Sequence, residues 1–171
     1  YNPLLRIAKA LPTVKVTPLP AFSSALFPEF LDVWDASICG EPTKQALIFQ
    51  ILTMTRPAES YGARWEEIDI DNALWNIPAE RMKAKRPHTV TLSRQAMDIL
   101  QTMKAWRRGD YVFPSLKRQN EAISRYNVTK IISRSKFKGL IVPHGFRSLA
   151  STVLNEEGFN PDIIEAALAH K

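Results

Sequence analysis

Apolar residues recur at helical spacing toward both ends of the chain and alternate at shorter range only in its middle. Residues 28–38 place Phe30, Leu31, Trp34 and Ile38 on one face, which predicts an amphipathic helix with Gly40 as its stop. Residues 43–54 are apolar nearly all round, as a buried central helix requires, with Thr43 as a capping residue. Arg56-Pro57 interrupts that run, and Pro57 suits the first turn of a further helix over 57–64. The middle changes period. Residues 73–78 and 88–92 are short and β-prone, a polar basic segment joins them, and a third strand is expected after Glu66. Helical spacing returns over 93–106 through Ala96, Ile99, Leu100 and Met103, with Ser93 as N-cap. Further helices are expected over 124–135, over 144–157 with Leu149, Val153 and Leu154 inward and Gly158 as stop, and over 163–170 after Asn160-Pro161-Asp162. The sum is an α+β fold, mostly α-helical, with one small antiparallel sheet.

The stretch before these elements changes the domain picture. Residues 1–24 carry Pro3, Pro12, Pro18 and Pro20 without sustained period and read as a linker or extended arm, leaving residues 25–171 as one domain. A chain that opens this way is expected to be the C-terminal piece of something longer. Composition then removes several classes. Of 171 residues 45% are hydrophobic, which excludes wholesale disorder. The single Cys39 excludes a disulfide framework and multi-cysteine metal sites. No apolar run approaches the roughly 18 residues of a membrane span, and the first ten do not form a signal peptide. The expectation is a soluble, intracellular domain without membrane association.

Charge narrows the partner. The net charge is +6, yet residues 81–138 hold 15 Lys and Arg against 3 Asp and Glu, more than the whole excess. A basic stretch this concentrated points to a polyanion, nucleic acid first. A solvated basic face is the competing reading, and charge alone leaves the two level.

Individual residues add weak signals. Arg56, in T-R-P-A-E, follows a helix that should be buried and therefore needs an anion; local pattern slightly favours nearby Glu59. His144 and Arg147, in H-G-F-R, fall on one face of a first helical turn, where free N–H groups suit a phosphate, although the spacing alone favours a capping or solvent-facing role. His170 ends an apolar helix and can simply cap it. Lys83 lies between two strands with Arg81, Lys85 and Arg86, and such a loop can follow a DNA groove or be an exposed hairpin. Arg125, Lys130 and Arg134 put a second basic group on the 124–135 helix, beside Tyr126. His88 begins a strand and reads as structural or exposed. The three histidines have no zinc-motif spacing, there is no Gly-rich phosphate loop, and no paired carboxylates lead a magnesium motif. Neither metal nor cofactor is expected. Two arginines, a lysine and imidazoles suit metal-free phosphoryl transfer, in which fixed charges stabilise pentacoordinate phosphorus.

Taken in order, these pieces resemble the tyrosine recombinase family, and within it the integrases of prophages and genomic islands of the satellite-phage type. The resemblance rests on T-R-P-A-E (55–59), W-E-E-I-D (65–69), I-P-A-E-R-M-K (77–83), P-H-x-V-x-L-S (87–93), V-F-P-S (112–115), H-G-F-R (144–147), L-N-E-x-G (154–158) and L-A-H (168–170), in register from about Asn2 onward. It implies the DNA breaking-rejoining fold, with a three-stranded sheet, and site-specific recombination through a 3′-phosphotyrosine intermediate. Arg56 and Arg147 would clamp the scissile phosphate, a geometry that suits arginine forks. Lys83 would be the general acid, with Lys85 its rival. His144 would assist proton transfer, His170 would hydrogen-bond the phosphate, and Glu59 would hold Arg56. Arg81, Lys85, Arg86, Arg125, Lys130 and Arg134 would bind double-stranded DNA. The partners implied are attachment-site DNA and other integrase protomers in a tetrameric synapse, in the cytoplasm and on the bacterial nucleoid. The linker implies a core-binding domain before it. A catalytically lost DNA-binding module and a type IB topoisomerase-like enzyme are the alternatives.

One departure stands against these matches. The family's nucleophilic tyrosine follows the L-A-H histidine, and this sequence stops at Lys171. None of Tyr1, Tyr61, Tyr111 and Tyr126 holds that position; Tyr61 reads as packing. The chain as given is therefore expected to bind DNA without cutting it.

Overall fold

A computed structural model describes residues 22–169. Residues 1–21, which hold nearly all of the expected linker, and His170 and Lys171 lie outside the described residues. The fold is α+β: seven α-helices among the described residues and a three-stranded antiparallel sheet.

The first helix, α1 (Phe27–Asp35), buries Phe30 and Trp34. It stops earlier than its apolar spacing suggests. The Ser37 hydroxyl donates to the Trp34 carbonyl at 2.6 Å, competing with helix continuation, and Ile38 is left fully exposed instead of joining the apolar face. The central helix α2 (Glu41–Thr53) buries Ala46, Leu47, Phe49, Gln50 and Thr53 and packs against four other helices. Gly40 is its N-cap and not the stop of α1; Pro42 pre-sets the first turn, which displaces Thr43 from the expected capping position into the helix. Its end is dictated by Pro57. A residue before proline is pushed to extended backbone, and Arg56 takes φ −72°, ψ 148°, while Met54 caps α2 in the left-handed region at φ 51°.

The next helix, α3 (Pro57–Tyr61), is shorter than the expected 57–64. After Gly62 the backbone is recruited elsewhere: Val112 donates to the Ala63 carbonyl, and Trp65 to that of Asp110, each at 2.9 Å. A 3-10 turn (Trp65–Glu67) leads into β1 (Ile68–Asp69), followed by β2 (Leu74–Ile77), a second 3-10 turn (Ala79–Arg81) and β3 (His88–Thr91). The sheet order is β1-β2-β3. Trp75 faces Val90 and Ile77 faces His88, which turns Trp75, Ile77 and Val90 into the core. On the outer face Thr89 donates to Asn76 at 2.9 Å, a cross-strand pair that fixes the register.

Helix α4 (Arg94–Lys104) follows its pattern closely: Ser93 Oγ accepts from the Ala96 N–H, and Ala96, Ile99, Leu100 and Met103 are all buried. Then come α5 (Arg125–Ser133), α6 (Gly145–Glu156) and α7 (Pro161–Ala167). Gly158, at φ +78°, ends α6, and Asn160 caps α7 by accepting from the Asp162 N–H. Leu149, Val153 and Leu154 of α6 are half-buried, lining a groove of about 480 Å³ with Phe27, Ile51 and Phe146. Edge-on and tilted aromatic contacts among Phe22, Phe30, Phe137 and Phe146 close the core under the start of α6. No helix among the described residues is long and apolar enough to cross a membrane.

Candidate functional site

The site forms where the end of α2, the start of α3, the β2–β3 loop and the start of α6 meet. The T-R-P turn is held from beneath by hydroxyls: Thr53 and Thr55 share a hydrogen bond of 3.0 Å, Thr55 bonds Ser60, and Ser60 donates to the Arg56 carbonyl. Arg56 is the N-cap of α3. Glu59, 3% exposed, takes both ends of it, accepting the Arg56 N–H at 2.8 Å and its Nη1 at 3.0 Å. The expected Arg56–Glu59 pair is thus present. Among the described residues Nη1 is the part of the guanidinium that bonds Glu59, so the pair does not preclude a second anion and the two readings of Arg56 are compatible.

Phe146 places the H-G-F-R turn. Its ring is buried against Phe30 at a 4.9 Å centroid distance, fixing the first turn of α6. Gln50 of α2 donates to the Pro143 carbonyl at 2.6 Å and accepts from the Tyr61 hydroxyl at 2.6 Å, tying the residue before His144 to α2 and α3. Tyr61 is buried as packing predicts, and burial pushes its phenol far above the ordinary range. Arg147 follows at 5% exposure. Its Nη1 donates to the Met54 carbonyl at 2.6 Å, and its Nη2 is buried without a hydrogen-bond partner among the described residues. Burial, and then the Arg56 cation beside it, push Arg147 down to about 10. The cation persists at neutral pH, and the fold carries the cost of keeping two guanidiniums together.

His144 sits at the N-terminus of α6 and makes no capping bond. Burial holds its imidazole below the usual range, with Arg147, Arg56, Lys83 and Arg125 adding to the effect. The structure therefore brings Arg56, Arg147, His144, Lys83 and Arg125 into one electrostatic neighbourhood, with Glu59 supporting it. Lys83 is exposed on the β2–β3 loop; Lys85 and Arg86 are exposed on the same loop, and Lys85 Nζ turns back to the Glu80 carbonyl at 3.5 Å. Lys130 lies over the Tyr126 ring, and Arg134 caps α5 beside the groove against α1. Neither is brought to the arginine pair. His170 falls outside the described residues.

One residue differs from expectation, and a second lies nearer the site than its reading implied. Arg81, expected on the DNA face, turns inward and pairs with buried Glu67. His88, expected to be structural or exposed, is half-buried next to the site. Burial lowers its pKa, Arg147 and Arg56 lower it further, and Glu59 and the Ala167 backbone oppose them. Its place directly after the Lys83 loop, in the P-H-x-V-x-L-S stretch, is a sequence signal of that proximity, and the structure pairs it with Ile77.

Residues 27–171 match the model of the phage integrase family. The chain belongs to that family. The prophage integrase IntA of Escherichia coli K12 is 41% identical over 169 residues, which are 98% of this chain and 41% of IntA. The integrase of Enterobacteria phage P4 is 36% identical over 99% of this chain and 42% of its own length. The integrase chain thus spans about two fifths of these curated relatives. Among solved structures, a lambda integrase tetramer bound to a Holliday junction superposes with a TM-score of 0.71 at 16% identity, over 95% of this chain and 50% of that one. That likeness establishes the tyrosine recombinase fold.

Proposed function

We propose that this chain is the catalytic domain of a tyrosine recombinase that cuts and rejoins DNA at attachment sites, inserting or excising a prophage or genomic island. The observation that carries this reading is the Arg147–Arg56 pair. Two guanidiniums lie close enough to repel each other, one of them buried with an Nη2 that has no hydrogen-bond partner among the described residues, and Lys83, His144 and Arg125 share their electrostatic neighbourhood. Such a site suits an anion presenting two oxygens, and a DNA phosphodiester has its two non-bridging oxygens placed for arginine forks.

In the reaction, a tyrosine hydroxyl gives up its proton with the help of His144 as its oxygen attacks phosphorus, an O–P bond forms, and the P–O5′ bond breaks with its electron pair on O5′. In the family that tyrosine follows the L-A-H motif. Lys83 supplies the proton that O5′ takes up, His144 assists proton transfer, and His170 hydrogen-bonds the phosphate. Arg56 and Arg147 compensate the charge of the pentacoordinate state, and Glu59 holds Arg56 in place. A 5′-hydroxyl from a second duplex then reverses the step, so bond energy is conserved in the phosphotyrosine link. Lys85, Arg86, Arg125, Lys130 and Arg134 follow the DNA backbone. The tetramer of lambda integrase on a Holliday junction supports assembly of four protomers on DNA. The bacterial relatives support action in the cytoplasm, on the nucleoid.

The test is a nicked suicide duplex carrying the attachment site, incubated with the full-length protein. A covalent DNA–protein adduct on a denaturing gel is expected, and its loss in Arg56→Ala and Arg147→Ala. An adduct of undiminished yield from either variant contradicts the proposed roles.

A further inference from the structure

Arg81 closes the 3-10 turn that leads from β2 into the Lys83 loop, and its side chain runs away from that loop's other cations. Its Nη1 donates to Glu67 Oε2 and its Nη2 to the Glu59 carbonyl at 2.6 Å. The side chains of Arg81 and Glu67 are 18% and 4% exposed. Glu67 Oε2 also accepts from Trp75 Nε1 at 2.9 Å and from the Arg64 N–H at 3.1 Å, so the pair is anchored in the sheet and in the preceding turn. Gly62 makes room for it: a Cβ there would lie 3.1 Å from Arg81 Nη2. Met82 is buried next to it, and Lys83 emerges directly from these two anchored residues. A short path therefore joins the loop to the arginine pair. Arg81 holds the Glu59 carbonyl, and the Glu59 carboxylate holds Arg56 Nη1 at 3.0 Å.

We propose that Arg81 is a positioning residue that sets Lys83 against the Arg56–Arg147 phosphate clamp. The proposal rests on the strand-cleavage reading above. A guanidinium fork can bond a carboxylate and a carbonyl at once, which a lysine point charge does poorly. The clamp does not need Arg81, because Glu59 binds Arg56 within α3. Loss of Arg81 thus frees the start of the loop and leaves the clamp in place. The defect falls on proton delivery to the leaving O5′.

The test compares two suicide duplexes in the full-length protein, one with the natural 5′-oxygen and one with a bridging 5′-sulfur, whose thiolate leaves without a proton. Arg81→Met combined with Glu67→Gln removes both charges and leaves no buried carboxylate unpaired. This variant should form adduct ~10²-fold more slowly on the oxygen duplex, the cost of a misplacement of about 1 Å. On the sulfur duplex it should stay within about 3-fold of wild type, as Lys83→Ala should, whereas Arg56→Ala should fail on both. Gly62→Ala keeps both charges while crowding Nη2 and, at the same 3.1 Å, the Ala58 carbonyl of α3; it should show a roughly 10-fold loss on the oxygen duplex that the sulfur duplex restores, whereas a disturbed α3 would slow both. If thermal melting finds the double variant unfolded, Gly62→Ala decides alone. Equal losses on both duplexes, or an unchanged oxygen rate, overturn the proposal while wild-type cleavage stands. A wild type that forms no adduct on either duplex overturns the cleavage reading, and the proposal with it.

Discussion

Arg147 and Lys130 are both cations on helices of one basic protein, and their surroundings are opposite. Arg147 is buried, bonded at Nη1 to the Met54 carbonyl and within the field of the Arg56 cation. Lys130 is exposed, its ammonium lying 5.8 Å from the centroid of an equally exposed Tyr126 ring. The first has already lost its water and its freedom, so an arriving phosphate gains nearly the full electrostatic interaction. The second keeps its hydration and trades counterions for phosphates. Net charge registers the two alike. On the proposed reading, the basic stretch of 81–138 supplies attraction to a polyanion, while the arginine pair proposed to recognise one phosphate lies outside it, at 56 and 147.

The comparison breaks most sharply at Arg147. Arg147→Ala should lower adduct formation by ~10³-fold or more while DNA affinity falls little, because transition-state charge stabilisation by a preorganised donor is typically of that size. Arg147→Lys should recover only part of the rate, since one ammonium cannot replace a fork bonded to the Met54 carbonyl. Single-turnover rates with gel-shift affinities on the same duplex separate the two quantities. A proportional loss of rate and affinity would erase the distinction between the two kinds of cation.

Glu59 comes next, and its effect is on stability. The carboxylate is buried and holds both the Arg56 N–H and Nη1. Glu59→Ala takes from Arg56 the carboxylate that pairs it beside Arg147, leaving Glu165 as the remaining compensating charge on Arg147, and should cost ~3 kcal/mol in urea denaturation. Lys130→Ala in the same assay should cost nothing measurable.

How much of this was legible depends on distance along the chain. Local features were. The i,i+3 spacing of Arg56 and Glu59, the Ser93 cap, the four buried positions of α4 and the Asn160 start of α7 need only neighbouring residues. Failures arose where a distant group decides. The inward turn of Arg81 depends on Glu67 and on the gap at Gly62, and the burial of Arg147 on the Met54 carbonyl. Helix α3 stops short because segment 110–112 claims its backbone. Even the exposure of Ile38, a local matter, turned on one hydroxyl that the apolar spacing does not encode.

The imidazoles sharpen the contrast at smaller amplitude. His144 and His88 are both held below the ordinary value of 6.5, burial first and the arginine pair after it. Between the folded value and the unfolded 6.5, the unfolded chain binds more protons, so their contribution to stability is lost as pH falls below about 6.5. A phosphate between Arg56 and Arg147 reverses part of that field. DNA binding near pH 6 should therefore take up protons, seen as a dependence of calorimetric binding enthalpy on the buffer's ionisation heat. His144→Asn should reduce the uptake, and Lys130→Ala should leave it unchanged. Equal uptake in wild type and His144→Asn would assign the proton elsewhere.

The smallest effects belong to the outer cations. Lys130 and Arg134 are exposed and lie away from the arginine pair, so each contributes through counterion release alone. Lys130→Ala and Arg134→Ala should each reduce the slope of log affinity against log salt by ~1, without altering the adduct rate at saturating DNA. Arg125 sharpens the boundary between the two regions, because it starts the same helix yet reaches the His144 and Tyr61 neighbourhood. Arg125→Ala should lower the slope as its neighbours do, and should also raise the His144 pKa by removing one of the cations that depress it. An imidazole titration by NMR reads that shift directly, and its absence would return Arg125 to the outer group.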